Sequence, residues 1–313
     1  MRIERTGVSV SVPATSANLG PGFDCLGLAL GLRDDLEVEA LAGGLDIEVQ
    51  GEGRDEVPRG EDHLVVRALR TTLDYVGAPQ AGLRLRAINR IPHGRGLGSS
   101  AAAVIAGIAL ARGLVTPRGV HPDEVLHPAA MLQLASDLEG HPDNAAAALL
   151  GGATIAWQHG QTARAMRLPI PAHSVVDPLI LSPQNTLATS HARGLLPEQV
   201  SHRDAVFAVS RVALLVHALT NEHSDLSLLM DASEDVLHQE YRAPAMPESL
   251  DLVRILRQEG YPATISGAGP SVLVLAGVDE DLASIVRRAV GDPGAWRLAR
   301  PGLDRRGAVC DDI

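Results

Sequence analysis

Four segments of the sequence alternate polar with apolar residues, and this alternation limits the fold more than any other feature. A period of two turns successive side chains to opposite faces of a strand, so one face is buried and the other meets solvent. Such half-exposed strands are typical of mostly antiparallel sheets, not of the doubly buried parallel sheet of a Rossmann fold. The apolar positions are Val8, Val10 and Val12; Leu36, Val38 and Ala40; Leu45, Ile47 and Val49; and Leu83, Leu85 and Ala87.

Helical spacing of apolar residues appears between and after these strands, which predicts an α+β fold class. Three prolines between residues 168 and 178 disfavour continuous helix and indicate a passage between domains. We therefore predict two domains, residues 1–165 and residues 166–313. The predicted helices cover residues 63–76, 99–114, 123–138, 143–150, 202–220, 225–238, 249–259 and 279–290.

Composition excludes several classes of function. The 313 residues carry a net charge of −11 and only 2% aromatic residues, which argues against a nucleic-acid surface. The longest nearly uninterrupted apolar run, residues 101–111, is far shorter than the roughly 20 residues that span a bilayer. All 27 basic residues are arginine, so a lysine-dependent Walker loop is excluded. Two cysteines fit a reducing compartment, and we expect a cytoplasmic protein that binds a small metabolite.

A glycine-rich segment lies between a strand pattern and the long helix predicted from Ser99 onward. Its three glycines let the backbone approach a ligand closely, and the free N–H groups at the helix start attract an anion. Ser99 is suited to capping the helix, and Ser100 to reaching a phosphate-bound Mg²⁺. The segment therefore predicts a phosphate site. This phosphate segment consists of Pro92, His93, Gly94, Arg95, Gly96, Leu97, Gly98, Ser99, Ser100, Ala101 and Ala102.

This glycine-rich segment resembles the second signature of the GHMP kinases, the family that includes galactokinase, homoserine kinase, mevalonate kinase and phosphomevalonate kinase. Residues 13–24 resemble the first signature as homoserine kinases carry it, and residues 263–271 resemble the third. The resemblance implies ATP binding by residues 92–102. It also implies a two-lobed GHMP kinase fold, with an N-terminal lobe like ribosomal protein S5 domain 2, a ferredoxin-like C-terminal lobe and the site between them.

The resemblance extends to residues that would carry the chemistry. Residues 139–144 are similar to a homoserine kinase block, which implies that Glu139 and Ser100 hold Mg²⁺ and that Asp143 hydrogen-bonds the attacking hydroxyl. It also implies that Asp24 binds a substrate ammonium, and that two arginines bind its carboxylate. The implied catalytic residues are Asp143, Glu139 and Ser100, and the implied substrate-binding residues are Asn18, Asp24, His141, Asp143, Asn144, Thr189, Arg193, Arg242 and Gly267.

The matched residues together imply a kinase that uses ATP and Mg²⁺ to phosphorylate the hydroxyl of L-homoserine in threonine biosynthesis. No nucleic-acid or membrane partner is expected. Homoserine kinases are often dimers, so the resemblance makes a homodimer an option and leaves the oligomeric state open. The alternatives are a GHMP kinase for mevalonate, a diphosphocytidyl-methylerythritol intermediate or shikimate, and a GHMP-fold metabolite sensor without catalysis. Whether Asp143 acts as a true base is open, because the lysine that pairs with the equivalent aspartate in mevalonate kinase is missing.

Overall fold

The computed structural model describes residues 1–277, 280–290 and 292–312. Its strands are β1 (Gly7–Asn18), β2 (Gly22–Leu41), β3 (Leu45–Gly51), β4 (Gly82–Asn89), β5 (Ala153–His159), β6 (Thr162–Leu168), β7 (Leu179–Pro183), β8 (Ala263–Ile265), β9 (Val272–Val274), β10 (Trp296–Ala299) and β11 (Val309–Asp312). One sheet has the order β11-β1-β2-β4-β3, with β5 and β6 added through β2. The other has the order β10-β7-β9-β8.

Helices cover both sheets. They are α1 (Leu64–Tyr75), α2 (Ser99–Val115), α3 (Pro122–Val125), α4 (Pro128–Glu139), α5 (Asp143–Leu150), α6 (Thr189–Gly194), α7 (His202–Thr220), α8 (Leu226–Ala232), α9 (Gln239–Arg242), α10 (Pro247–Gln258) and α11 (Glu280–Ala289), with 3₁₀ turns at Ala243–Ala245 and Pro293–Ala295. The α+β prediction is confirmed. Among the described residues, no helix has both the length and the apolar character needed to cross a bilayer.

The strand pairing is antiparallel, as the alternation predicted, except between β3 and β4, which run parallel. That parallel pair needs a crossover, and α1 supplies it. The 20-residue strand β2 pairs with β1, with β4 through residues 35–41, and with β5 through residues 26–28. Because one long strand pairs with three others, β1, which carries much of the first signature segment, lies in the same sheet as β4 and β5.

The single helix predicted over residues 123–138 is wrong: the chain forms α3 and α4, separated by Leu126 and His127. Pro128 explains the break, because proline has no N–H and favours the first turn of a helix over its interior. His127 accepts a hydrogen bond from Ala129 N and so caps the new helix. Helix α4 then runs to Glu139, which contacts Ser100 at the start of α2.

The helix predicted over residues 225–238 is too long, since α8 ends at Ala232. The carboxylate of Asp235 accepts hydrogen bonds from the N–H groups of Leu237, His238 and Gln239. Such local side-chain bonds offer the backbone an alternative to the helix and end it. Residue 279, the first of the helix predicted over 279–290, lies outside the described residues.

Helix α2 crosses the centre of the larger core and is buried along almost its whole length. Its small residues allow close packing, and at Gly107 an added Cβ would clash with the carbonyl oxygen of Val65 in α1. The helix therefore has a fixed position, and its N-terminus presents the phosphate segment from a rigid base.

The last strand, β11, returns to the first sheet and pairs with β1. Arg33 secures this return by hydrogen-bonding Asp304 and the carbonyl oxygens of Ser11 and Gly307. The predicted boundary at residue 165 falls within β6. The division into residues 1–165 and 166–313 stays a prediction, and residue 313 lies outside the described part of the chain.

Candidate active site

A cavity of about 390 Å³ opens where the phosphate segment meets α6 and the β8–β9 turn. Residues from all three signature segments and from the 139–144 block line this cavity, although they are far apart in the sequence. The predicted site residues in its wall are Asn18, Asp24, Gly94, Gly96, Leu97, Gly98, Ser99, Ser100, Ala101, Glu139, His141, Asp143, Asn144, Thr189, Arg193, Arg242 and Gly267. Every residue predicted to bind the acceptor is therefore in one place.

Part of the predicted nucleotide segment faces elsewhere. The guanidinium of Arg95 donates to the carbonyl oxygens of Pro183 and Gln184 at 2.9 and 2.6 Å, so it ties the segment to the end of β7. A guanidinium committed to carbonyl oxygens is poorly placed to grip a phosphate. The residues of this segment outside the lining of the cavity are Pro92, His93, Arg95 and Ala102.

The other two signature segments hold the phosphate segment in shape. Ser266 Oγ donates to the carbonyl oxygen of Gly96 at 2.7 Å, and Thr15 N donates to that of Leu97 at 3.0 Å. Gly98 is the N-cap of α2 in a left-handed conformation, with φ of 66°, and no side chain caps the helix. The predicted Ser99 cap is therefore wrong, since Ser99 is the first helical residue. The N–H groups at the start of α2 stay available to an anion.

Ser100 and Glu139 contact each other across the cavity wall. Ser100 Oγ donates to Glu139 Oε1 at 2.6 Å, and burial raises the pKa of the Glu139 carboxyl. Hydroxyl and carboxylate oxygens are ligands that Mg²⁺ accepts. The described residues contain no group of three or more His, Cys, Asp or Glu able to hold a metal. A metal at this pair would thus depend on phosphate oxygens and water for its other ligands.

Asp143 is the first residue of α5 and only 2% exposed. Its Oδ1 accepts a hydrogen bond from Asn144 N at 2.7 Å and lies 2.9 Å from His141 Nδ1. The hydrogen bond to Asp143 raises the pKa of His141. His141 Nδ1 thus lies where a protonated imidazole would pair with Asp143 in a chain without lysine. Within the described residues Asp143 Oδ2 has no hydrogen-bond partner, which leaves it for a ligand.

Asp24 and Arg193 form a bidentate ion pair at the other end of the cavity. Arg193 Nη2 donates to Asp24 Oδ1 at 2.7 Å, and Nη1 donates to Oδ2 at 2.9 Å. Asp24 has a positive φ of 53°. The side chain of Asn18 holds this turn, since its Oδ1 accepts from Asp24 N at 3.0 Å and its Nδ2 donates to the carbonyl oxygen of Gly267 at 2.9 Å.

Arg242 is buried beneath this pair and is 2% exposed. Its guanidinium donates to the carbonyl oxygens of Ala192 and Gly267 at 3.3 and 3.2 Å, and lies 3.1 Å from His238 Nδ1. His238 Nε2 lies 2.8 Å from the carbonyl oxygen of Gly20 and must donate to it. His238 Nδ1 is then an acceptor for Arg242, and burial, which lowers the pKa of His238, favours that neutral form.

Comparison with known proteins places this arrangement in a family. Models of the N-terminal domain and the C-terminal region of GHMP kinases match residues 63–152 and 214–295. The homoserine kinase of Streptomyces avermitilis is 53% identical over 301 residues, which are 96% of this chain and 94% of that protein. The chain belongs to the homoserine kinase family of GHMP kinases. The homoserine kinase of Streptomyces coelicolor is 52% identical over 96% of the chain and 94% of its own length.

Solved structures of GHMP kinases share the fold. A homoserine kinase from Cytophaga hutchinsonii superposes with a TM-score of 0.82 over 98% of both chains, at 24% identity. A mevalonate kinase superposes with a TM-score of 0.64 over 95% of this chain and 99% of its own, at 15% identity. The predicted two-lobed GHMP kinase fold is confirmed.

Two residues of this GHMP kinase site were missed in the sequence. The guanidinium carbons of Arg193 and Arg242 lie 5.6 and 5.4 Å from the ring centre of Phe23. The ring of His238 stacks on Phe23 at 5.2 Å. The ring of Phe23 therefore lies close to both guanidinium groups and attracts them. Its place beside Asp24 in the first signature was a usable signal, whereas nothing near His238 in the sequence indicated its contacts.

A second cavity, of about 290 Å³, lies on the other side of the phosphate segment and shares Ser99 and Ser100 with the first. The exposed area of its wall is mostly apolar, and its polar side chains include Asp34, His63 and His93. These residues are scattered over the sequence, and no motif predicted that they would meet. Its remaining lining residues are Leu36, Val57, Pro58, Asp62, Leu64, Val65, Asn89, Ala102 and Ala103.

His63 contributes an unsatisfied nitrogen to this second cavity. It occupies the position before α1, yet its side chain does not cap the helix, and its Nδ1 is buried without a hydrogen-bond partner. His121 and His127, at the same position before α3 and α4, do accept backbone N–H groups with Nδ1. Burial lowers the pKa of His63, so the ring is neutral and suited to hydrogen-bonding an uncharged group.

Asp34 carries a buried charge in the same wall. Its Oδ1 accepts hydrogen bonds from the N–H groups of Arg90 and Ile91 at 2.6 and 2.9 Å, just before the phosphate segment. Burial nevertheless raises its pKa from the ordinary value of 3.8 to about 6. The folded protein binds this proton more tightly than the unfolded chain does. Protonation of Asp34 therefore contributes its full amount to the free energy of unfolding below the pKa of the unfolded chain. This contribution is lost as the pH rises through the pKa of the folded protein.

Asp34→Asn is expected to stabilise the protein against unfolding by up to about 3 kcal/mol at about pH 7.5, because the amide keeps the accepting oxygen and removes the buried charge. The gain should disappear at about pH 4, where the folded wild-type carboxyl is protonated. Urea denaturation at both pH values measures it. Asp35→Asn is the control: that carboxylate bonds Ser11 and Arg90, so its loss should not stabilise. A pH-independent gain for Asp34→Asn would contradict the assignment.

Proposed function

We propose that this chain transfers the γ-phosphoryl group of ATP to the hydroxyl of L-homoserine and so serves threonine biosynthesis. The observation that carries the proposal is the shared cavity, in which a carboxylate and a guanidinium face Asp143 and the phosphate segment. An amino acid has an ammonium that suits Asp24 and a carboxylate that suits Arg193. Its side-chain hydroxyl then lies toward Asp143. The homoserine kinase relatives support this choice of acceptor.

We place the triphosphate of ATP on the phosphate segment and its nucleoside in the second cavity. The backbone N–H groups at the start of α2 would bind the phosphate oxygens. Ser99 and Ser100 form the wall common to both cavities, so one nucleotide can extend from one to the other. The apolar wall suits a flat base, while Asp34 and His63 offer an acceptor and a ring nitrogen to its polar edge.

Ser100 and Glu139 are the residues that would hold Mg²⁺. Their contact of 2.6 Å and their place beside the phosphate segment fit a metal bound jointly by the protein and by phosphate oxygens. When bound, the metal supplies positive charge to phosphate oxygens on which negative charge accumulates. Neutralising that charge is a main task of a kinase site. Besides such a metal, arginine side chains are the strongly cationic groups of this sequence, because it contains no lysine.

In the proposed reaction the homoserine hydroxyl oxygen forms a bond to the γ-phosphorus while the bond from that phosphorus to the bridging oxygen breaks, and ADP leaves. Asp143 Oδ2 accepts the hydroxyl hydrogen bond and takes the proton as the new bond forms. His141, 2.9 Å from Oδ1, balances the charge of Asp143. Because the transition state is loose in most analyses, orientation of the hydroxyl contributes more than base strength.

Neither alternative accounts for the site as well. Mevalonate and shikimate lack an ammonium, so neither brings a cation that could bind Asp24. A sensor without catalysis does not need Ser100, Glu139 and Asp143 together beside the phosphate segment. A cytoplasmic location and a homodimer stay predictions.

Purified protein with Mg²⁺ and ATP is expected to release ADP at least about 100-fold faster, in kcat/KM, with L-homoserine than with mevalonate, galactose or shikimate, because a site built for two charged groups rejects ligands that leave them unpaired. A coupled ADP assay over the four acceptors measures this. Turnover of none of them would favour the sensor. A preference for mevalonate would move the chain to another branch of the GHMP kinases.

A further inference from the structure

The two residues that the proposed function assigns to opposite ends of one substrate are bound to each other. Both hydrogen bonds of the Asp24–Arg193 pair are short, at 2.7 and 2.9 Å, and both side chains line the main cavity. The Asp24 side chain is 34% exposed and the Arg193 side chain 38%. The pair therefore occupies one hydrogen-bonding edge of each group, and an amino acid that binds both groups through these edges must displace it.

We infer that the Asp24–Arg193 pair acts as an exchangeable lock that selects zwitterions. This inference rests on the proposed function and adds a specificity device to it. A ligand with both an ammonium and a carboxylate breaks one ion pair and forms two. A ligand with a single charged end breaks the same pair but leaves either Asp24 or Arg193 without a partner, so it gains much less.

The rest of the site allows this pair to open without disturbing the fold. Among the described residues, neither the carboxylate of Asp24 nor the guanidinium of Arg193 makes any other hydrogen bond. The backbone of Asp24 is held separately, through Asn18. Arg193 lies in the short helix α6, and its guanidinium carbon lies 5.6 Å from the ring centre of Phe23.

Arg242 is the fixed counterpart of the mobile Arg193. Carbonyl oxygens of Ala192 and Gly267, together with His238, hold its guanidinium, and it is almost fully buried. Its Nη2 has no hydrogen-bond partner among the described residues, and Arg242 lines the cavity. An incoming carboxylate can therefore bind Nη2 first and then draw Arg193 away from Asp24. The released Asp24 receives the ammonium.

The lock makes a prediction that simple charge matching does not. Asp24→Asn frees Arg193, so a hydroxy acid without an amino group should bind more tightly to the variant than to the wild type, even though homoserine binds more weakly. Asparagine is well suited to this exchange, because it tolerates the positive φ of 53° at this position. The variant should therefore fold normally, which thermal denaturation checks.

Calorimetric titration of wild type and variants with L-homoserine, 4-hydroxybutyrate and 3-aminopropan-1-ol tests the lock. For Asp24→Asn we expect 4-hydroxybutyrate affinity to rise about fivefold, the size of a partly exposed ion pair, and homoserine affinity to fall at least about tenfold. Arg193→Gln should raise the affinity for 3-aminopropan-1-ol in the same way. Asp137→Asn is the control, since it removes one carboxylate from an exposed position of α4 that has no part in the proposed binding of the amino acid.

An equal rise in 4-hydroxybutyrate affinity for Asp24→Asn and Asp137→Asn would overturn the lock, because general electrostatics would then explain it. No rise in Asp24→Asn would overturn it as well. These results are separate from a failure of the proposed function, which would appear as absence of homoserine binding and turnover in the wild type.

Discussion

Glu139→Gln is expected to lower kcat with homoserine by about 10²–10³-fold and to change the KM for homoserine by less than about threefold. Glutamine keeps the length of the side chain and an oxygen that can accept from Ser100 Oγ. It removes the negative charge that would bind Mg²⁺. Because the metal acts on charge that develops at the phosphate oxygens, the loss should fall on the transition state and not on acceptor binding. Steady-state kinetics at saturating ATP measure both constants.

Asp137→Asn is the matched control for this change. Asp137 lies in the same helix, α4, and is exposed, with its carboxylate hydrogen-bonded to Gln133. The two variants remove the same charge two residues apart, so a general effect of charge would lower kcat in both. A Glu139→Gln enzyme with normal kcat over a range of Mg²⁺ concentrations would remove Glu139 from the metal site.

Much of the fold and of the site was accessible from the sequence because local chemistry determined it. The alternation in β1 predicted its antiparallel pairing, and the glycines before α2 predicted the turn at which this helix begins. The helix break at Pro128 was equally local, and missing it was an error of interpretation. The residues predicted to bind the acceptor all line one cavity, because each motif follows an element whose position the core determines.

The remaining features depend on contacts between distant segments. Nothing near Arg95 indicates that its guanidinium turns to β7, since the carbonyl oxygens that hold it are 88 and 89 residues away in the sequence. The pairing of Asp24 with Arg193 likewise joins residues 169 positions apart. His63 was predicted as the first residue of a helix, and only the folded chain shows that its Nδ1 is buried without a hydrogen-bond partner. Side-chain partners of this kind are set by packing, not by propensity.

Gly96→Ala is expected to destabilise the protein by about 4 kcal/mol and to raise the KM for ATP more than about tenfold. Gly96 has a positive φ of 71°, which costs an alanine about 1–2 kcal/mol. In addition, an added Cβ would clash with the carbonyl oxygen of Ser266. That oxygen belongs to the backbone of the β8–β9 turn, which cannot yield as a flexible side chain would. The phosphate segment and the third signature segment would have to separate.

Gly94→Ala separates these two contributions. Gly94 has a similar φ of 63°, but its added Cβ would meet only the side chain of Thr186, at 3.1 Å. This variant should therefore lose about 1–2 kcal/mol, from backbone strain alone. Urea denaturation and ATP kinetics of both variants give the comparison. If both lose the same stability, backbone conformation alone governs the segment. A larger loss in Gly96→Ala shows that contact between the second and third signature segments holds the phosphate site in shape.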